Sequence, residues 1–151
     1  MSQAERWTRQ VAAHHAQSLK AQGDPRPQGD FWRPFASAFR SDPRRTDDPV
    51  LDSIFRHVGA DSTALDVGGG AGRLALPLAL RCAHVTVVEP SGAMVEELRE
   101  ATREAAIENL SIVEGTWEEV EADPADVALC AHVVYGVEDI EGFVRKLNAS
   151  A

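Results

Sequence analysis

Cysteine and long apolar runs are both scarce in this chain of 151 residues. The two cysteines, Cys82 and Cys130, stand in separate apolar segments and form neither a Cys-x-x-Cys pair nor another metal-ligand spacing. This usage is typical of buried thiols in a reducing compartment. No apolar run is long enough to span a bilayer, and residues 1–6 open no secretory signal. We therefore expect a cytoplasmic protein with no membrane partner.

Positive charge is also in short supply. Fifteen Lys and Arg residues face 24 Asp and Glu residues, which gives a net charge of -9. Residues 1–60 hold 9 basic and 7 acidic side chains, whereas residues 61–151 hold 6 and 17. Because an acidic body repels phosphate backbones, the charge predicts no nucleic-acid partner, although the more basic N-terminal part leaves one open. Nothing in the sequence indicates an oligomeric state.

Residues 1–47 predict a helical N-terminal segment. A helix over 3–21 places Trp7, Val11 and Leu19 on one stripe, and a turn-rich break follows at 23–29. A short second helix, with Asp30 as its cap, carries three phenylalanines on one face: Phe31, Phe35 and Phe39.

A second unit, residues 48–151, begins with Asp48-Pro49, an N-cap followed by proline at the first helical position. The buried stripe of its helix is Val50, Leu51, Ile54, Phe55 and Val58, and Gly59 is the stop signal.

Strands and helices then alternate. Strands are predicted at 63–67, 85–89, 110–114 and 126–131, and helices at 73–80, after the cap Ser91, and at 138–147. The fourth strand is a continuous apolar run of the kind buried on both faces of a sheet. Pro77 predicts a kink in the first of these helices, or a start late enough to put it in the first turn. The pattern predicts an α/β fold with a doubly wound, mostly parallel sheet.

The first strand ends in a glycine turn. Asp66 precedes alternating glycines, Gly68, Gly70 and Gly72, with Gly69 between them, and Glu89 ends the next strand. Glycine lets the main chain approach a ligand, and an acid about 20 residues on can accept hydrogen bonds from ribose hydroxyls. The arrangement predicts a nucleoside-binding site.

The segment 65–73, taken together with Glu89, resembles motifs I and II of class I S-adenosylmethionine-dependent methyltransferases. The resemblance runs from about residue 50 to 147. It implies a Rossmann-like sheet of order 3-2-1-4 and S-adenosylmethionine (SAM) as the cofactor. It also implies methyl transfer, by in-line SN2 displacement, to a small-molecule acceptor. Such N-terminal segments often cover the cofactor, so residues 1–47 are a candidate lid that offers Trp7, His14, His15, Phe31 and Trp32.

The resemblance also suggests roles for individual residues. Asp66 serves the ammonium of the methionine moiety, free N–H groups at 71–73 serve its carboxylate, and Glu89, followed by Pro90, holds the ribose. After the third strand, where many relatives have an acid, this chain has Thr116 and Trp117; Thr116 can bond adenine, and Trp117 either covers the adenine or belongs to the core.

After the fourth strand, the resemblance brings the main chain of Cys130 and Ala131 close to the methionine ammonium. His132 is a candidate general base, and Tyr135 a candidate for the acceptor pocket; both equally fit ordinary packing.

Two other functions remain open. The stretch 70–75 also fits the dinucleotide fingerprint of an NAD(P)-dependent oxidoreductase, although Asp66 would repel a diphosphate there. A non-catalytic SAM-binding module is the other alternative. A fourth strand left at the edge of the sheet leads us to expect a piece of a longer enzyme whose C-terminal strands are missing.

Overall fold

The computed structural model describes residues 1–22 and 29–151, and the side chains of all of these except 18–22. The helices are α1 (Gln3–Gln22), α2 (Pro49–Phe55), α3 (Ala75–Ala79), α4 (Gly92–Glu104) and α5 (Ile140–Ala149). The strands are β1 (Thr63–Val67), β2 (His84–Glu89), β3 (Leu110–Glu114) and β4 (Val127–Cys130). Two short 3-10 helices cover Ala36–Phe39 and Val134–Gly136. The predicted break at 23–29 lies outside the described residues except for Gly29.

All described strands pair in parallel, in the order β3-β2-β1-β4, so the α/β fold and its strand order are confirmed. Val67 lies opposite both Val88 and Cys130. Because parallel strands share a direction, the loops after β1, β2 and β4 emerge at the same edge of the sheet.

The sheet is covered on both faces, which is what a parallel sheet requires. Successive residues of β1 point to opposite sides, so Ala64 joins one core cluster and Leu65 the other. The first cluster packs the sheet on α3 and α4 through Leu76, Leu78 and Leu98; the second packs it on α5 through Phe143.

Local signals placed several elements correctly. β1 and β3 have the predicted bounds. The Asp48 carboxylate accepts hydrogen bonds from the N–H groups of Val50 and Leu51, and the Ser91 hydroxyl accepts one from Met94 N–H. Pro77 falls in the first turn of α3, as the late-start alternative predicted.

Three helix predictions need correction. α3 begins at Ala75, since residues 71–74 form turns instead of its first turn. α2 ends at Phe55, where an i→i+3 bond tightens the last turn, so Gly59 lies beyond its end. Val50, predicted in the buried stripe of this helix, is exposed. α5 begins at Ile140 because the Asp139 carboxylate caps Gly142 N–H.

The predicted α-helix over 31–39 is wrong. Residues 31–35 form turns, and only Ala36–Phe39 is helical, as a 3-10 helix. The Asp30 carboxylate bonds Trp32 N–H within its own segment but also Ser91 Oγ and Ala93 N–H at the start of α4. The hydrogen bonds from Asp30 to the start of α4 therefore take the place of a local helix over 31–39.

The prediction of a fourth strand buried on both faces is also wrong. Every residue of β4 is only half-buried, because among the described strands β4 pairs with β1 alone. α1 lies against the chain that follows β4: Trp7 Nε1 donates to the Val137 carbonyl at 2.7 Å, and Thr8 Oγ1 to the Glu138 carbonyl at 2.9 Å. No helix in the described part of the chain is long and apolar enough to cross a membrane.

Candidate functional site

A cavity of about 350 Å³ opens at the edge of the sheet where the loops after β1, β2 and β4 meet. Ligands of open α/β sheets bind at this edge, where neighbouring crossovers turn opposite ways. Its lining combines the glycine turn, two acids, the loop after β4 and part of the N-terminal segment. The lining residues are Trp32, Phe39, Asp66, Gly68, Gly69, Gly70, Ala71, Arg73, Leu74, Glu89, Pro90, Met94, Ala131, His132 and Val133.

Asp66, the first of the two acids, ends almost wholly inside the protein. The residue is 2 % exposed, and its Oδ2 has no hydrogen-bond partner in the described structure. Burial, and next the charge of Glu89, raise the pKa of this carboxyl to about 7, against a lowering by Ala75 N–H. A buried carboxylate oxygen without a donor is costly, so the site accepts a hydrogen-bond donor or a cation at this point.

Glu89, the second acid, already has partners. Oε2 accepts from Gly70 N–H at 2.9 Å, and Oε1 accepts from Ser91 N–H at 2.9 Å. Burial raises the pKa of Glu89 while these two bonds lower it, and the nearby charge of Asp30 raises it further. The carboxylate thus joins the glycine turn to the start of α4.

The glycines of the turn serve two different purposes. A Cβ at Gly68 would lie 2.2 Å from Val133 Cγ2, and one at Gly72 2.5 Å from Leu98 Cδ1, so both are needed for packing. A Cβ at Gly69 would lie 3.0 Å from Asp66 Oδ2. Gly70 has a φ of +57°, and a Cβ there would meet only Met94 Sδ at 4.0 Å, so its main chain is open to the cavity.

Several predicted cofactor residues lie away from the cavity lining. Gly72 packs under α4, as described. Thr116 Oγ1 donates to Glu119 Oε2 at 2.8 Å, and Trp117 is 3 % exposed in the second core cluster, its Nε1 donating to the Phe143 carbonyl at 3.4 Å. The core alternative for Trp117 therefore describes its position. The Cys130 side chain packs on the same cluster, and burial, with the Asp66 charge second, raises the pKa of its thiol.

The two acceptor-side candidates lie next to each other. His132 lines the cavity with a φ of +61°, a left-handed conformation that is uncommon outside glycine. Its Nδ1 lies 3.1 Å from the Tyr135 hydroxyl, and the two rings stack at 6.4 Å. Tyr135 itself is 65 % exposed and is not part of the lining.

The sequence interpretation missed several lining residues, above all Phe39, Arg73 and Met94. Phe39 carried a signal, because it continues the spacing of Phe31 and Phe35, but that signal was taken for a helix face. Asp30 was taken only as a local cap. Of the five N-terminal candidates, the structure brings Trp32 to the cavity, whereas Phe31, His14 and His15 are outside the lining and Trp7 bonds Val137, ahead of α5.

The donor set fits a zwitterionic nucleoside better than a dinucleotide. The unpartnered Asp66 oxygen attracts an ammonium and repels a diphosphate. The open main chain at Gly70 leaves room for a ligand, and Glu89 can exchange main-chain donors for ribose hydroxyls.

The sheet order and the acid-glycine turn define the class I, Rossmann-like SAM-dependent methyltransferases. The family model described as "Methyltransferase domain" matches residues 65–149, more than half of the chain. The chain belongs to this family, whose match decides against the nicotinamide alternative.

Two curated relatives differ in what their names say they act on. The chain is 31% identical over 101 residues to the ubiquinone biosynthesis O-methyltransferase of Rickettsia felis, covering 65% of this chain and 41% of that protein. It is 28% identical over 88 residues to the ribosomal RNA small subunit methyltransferase G of Pseudomonas entomophila, covering 57% and 41%. The chain thus spans about two fifths of the length of these relatives.

Solved structures share the fold. A SAM-dependent methyltransferase from Thiobacillus denitrificans, in complex with S-adenosylhomocysteine, has a TM-score of 0.63 at 20% identity. The match covers 84% of this chain and 52% of that structure. The YcgJ protein from Bacillus subtilis has a TM-score of 0.59 at 26% identity, with coverages of 64% and 43%.

Proposed function

We propose that this chain binds SAM at the cavity and belongs to an enzyme that transfers its methyl group to a small-molecule acceptor. One observation carries the cofactor assignment: Asp66 Oδ2 is buried, without a partner, and at the wall of the cavity. An ammonium is the donor that such an oxygen stabilises most.

The residues around the cavity divide the work of binding. Asp66 takes the ammonium end, the open main chain at Gly70 accommodates the ligand, and Glu89 turns its oxygens to the ribose hydroxyls. When bound, SAM supplies a methyl group activated on a sulfonium. The protein therefore contributes alignment of the acceptor and exclusion of water.

His132 is the base that we assign to a protonated acceptor. In the tautomer whose Nδ1–H donates to the Tyr135 oxygen, Nε2 keeps a free lone pair. His132 lines the cavity, so Nε2 can take the acceptor's proton during transfer. Tyr135 fixes the ring from outside the cavity.

A small-molecule acceptor is favoured over RNA by charge. Residues 61–151, which form the sheet and most of the cavity lining, hold 17 acidic and 6 basic side chains. A phosphate backbone at this surface would be repelled, whereas an RNA methyltransferase gains its affinity from basic side chains.

Calorimetry tests the cofactor. We expect the full chain to bind S-adenosylhomocysteine, the product form of SAM, and not NAD. Binding of NAD alone would overturn the assignment.

Transfer is then measured with SAM labelled in its methyl group, against a metabolite pool and against ribosomal RNA. Label in the metabolite pool supports the proposal; label in RNA contradicts the acceptor class. Binding of the nucleoside without transfer to either identifies a SAM-binding module. His132→Asn should slow transfer while leaving binding intact, and His84→Asn is its matched control, since His84 bonds Ser111 away from the cavity.

A further inference from the structure

Four aromatic side chains stand exposed on one short segment before α2. Phe31, Trp32, Phe35 and Phe39 are 58 %, 41 %, 53 % and 46 % exposed. Two pairs meet edge to face: the Phe31 and Trp32 centroids are 5.1 Å apart, and those of Trp32 and Phe39 are 5.4 Å apart, while Phe35 lies tilted against Phe31 at 6.4 Å. Aromatic surface exposed in such a cluster marks a binding site more often than a random surface feature. We call residues 30–40 the aromatic segment.

The cavity divides this cluster into two pairs. Trp32 and Phe39 line the cavity together with the glycine turn and His132, whereas Phe31 and Phe35 do not. The planes of the two lining rings are 86° apart, so they form a corner. Aromatic faces and edges arranged in this way accept a further planar ring by stacking on one and meeting the edge of the other.

The aromatic segment is fixed in place although its aromatic side chains are exposed. The Asp30 carboxylate accepts from Ser91 Oγ at 2.7 Å and from Ala93 N–H at 2.8 Å, at the start of α4. At the other end, Arg40 pairs with Glu97 and Glu100 along the same helix. A ligand binds more tightly to a segment held in this way, because ordering a loosely held segment on binding costs free energy.

The size of the cavity suggests what the wall is for. About 350 Å³ is near the lower limit for ligand cavities, so a bound nucleoside fills most of it and leaves the mouth, where Trp32 and Phe39 are 41 % and 46 % exposed. The nucleoside uses the glycine turn, Asp66 and Glu89, so an acceptor has to bind beside it against the remaining wall. Arg73 also lines the cavity; its guanidinium lies 3.5 Å from Asp48 Oδ2, but its side chain is 53 % exposed, and its charge disfavours a cationic acceptor.

We propose that Trp32 and Phe39 form the acceptor-binding corner and that the acceptor is a planar aromatic compound that carries no positive charge. This inference rests on the proposed function and specifies its substrate class. Asp30 supports the corner indirectly, since it holds the segment at the start of α4.

Ring binding is tested on the full chain saturated with S-adenosylhomocysteine. Naphthol is titrated against its saturated analogue decahydronaphthol, which has the same skeleton without planarity. We expect wild type to bind naphthol about tenfold more tightly than the analogue. Trp32→Ala and Phe39→Ala should each weaken naphthol binding about tenfold while changing the affinity for S-adenosylhomocysteine less than about threefold. Trp32→Phe should retain most of the binding, and Phe39→Leu, apolar but not planar, should not.

Phe35→Ala is the matched control, because Phe35 belongs to the same cluster, is equally exposed and lies off the cavity. It should bind naphthol like wild type. Equal affinity for the planar and saturated compounds, no binding of either, or an equal loss in Phe35→Ala overturns this inference alone. A tenfold loss of S-adenosylhomocysteine binding in the Trp32 and Phe39 variants would show that the corner covers the cofactor instead. A wild-type chain that binds no S-adenosylhomocysteine overturns the proposed function first.

Discussion

The ends of β1 and β2 place two buried acids, Asp66 and Glu89, at one cavity, and the two carboxylates differ in their hydrogen-bond partners. Both carboxylate oxygens of Glu89 accept hydrogen bonds from main-chain N–H groups, those of Gly70 and Ser91. Asp66, no more exposed, keeps one oxygen without a donor. Glu89 therefore stabilises the ligand-free fold, whereas the unpartnered oxygen of Asp66 has a cost that a cationic ligand removes. In the ligand-free chain the Glu89 carboxylate thus already has structural partners, whereas the Asp66 carboxylate is left for the ligand, and substitutions can separate the two.

The largest effect is expected at Gly70, where the two strand ends meet. Gly70→Val places a branched side chain at a φ of +57° in the open part of the cavity and displaces the N–H that bonds Glu89. The affinity for S-adenosylhomocysteine should fall by more than about a hundredfold. Calorimetry measures it, with Gly59→Val as control, since a Cβ there meets only Ser62 Oγ at 3.8 Å. Unchanged affinity would mean that the ligand binds elsewhere.

Asp66→Asn should separate binding from stability. It removes the charge but keeps the shape, so affinity should fall about tenfold to a hundredfold at pH 8, the effect of a lost charged hydrogen bond. The free energy of unfolding of the ligand-free chain should stay the same or rise, because an ionised, unpartnered group is gone.

The matched control for that variant is Asp126→Asn. Asp126 bonds Thr63 at the opposite end of β1, so this variant should lose stability and keep its affinity. If Asp66→Asn destabilises the ligand-free chain as Asp126→Asn does, the contrast between the two strand ends is wrong.

Glu89→Gln should act in the opposite direction on the ligand-free chain. An amide offers one acceptor oxygen where the carboxylate offers two, so either Gly70 N–H or Ser91 N–H loses its partner. A buried donor without a partner costs about 1–3 kcal/mol. Denaturant unfolding of the ligand-free chain measures the loss; a stability equal to wild type would show that Glu89 is not what joins the turn to α4.

The smallest effect is a pH dependence. Asp66 has a pKa near 7 in the folded chain, well above its ordinary 3.8, so the folded state holds a proton that the unfolded state has released. Its contribution to stability is therefore present at low pH and is lost as the pH rises through about 7. An ammonium prefers the ionised form, so the affinity for S-adenosylhomocysteine should rise about fivefold between pH 6 and pH 7 and level off above it.

Calorimetry in buffers of different ionisation enthalpy should accordingly detect proton release at pH 6 and little at pH 8. Asp66→Asn should abolish both effects. A pH profile that survives in this variant assigns the titration to another group.

Elements with strong local signals were predictable, and those that depend on distant partners were not. Alternation and turn residues placed β1 and β3, and Asp48 and Ser91 marked two helix starts. The segment 31–39 has a helical spacing of phenylalanines, yet it forms turns because Asp30 bonds across to α4. The apolar run of β4 is typical of a central strand, but its exposure depends on which strands lie beside it.

The same distinction holds at the site. Asp66, Glu89, Pro90, Ala131 and the glycines 68–70 line the cavity. The acid-glycine pattern predicted Asp66, the glycines and Glu89, and the family resemblance implied Pro90 and Ala131. The sequence did not settle the places of two aromatic residues. Trp117 was a candidate for the cofactor and belongs to the core, whereas Phe39 was assigned to a helix face and lines the cavity. Apolar side chains carry no mark of whether they face a core or a ligand, because both burials have the same driving force.

The sequence alone determined the alternation of strands and helices and the acid-glycine turn, because period, turn residues and caps act over a few neighbours; the strand order was expected from the family resemblance. Only the tertiary structure decided that Glu89 is bonded to the main chain and Asp66 is not, and that Trp32 and Phe39 reach the cavity. Those outcomes depend on desolvation and on donors as many as 63 residues away, and no local pattern encodes them.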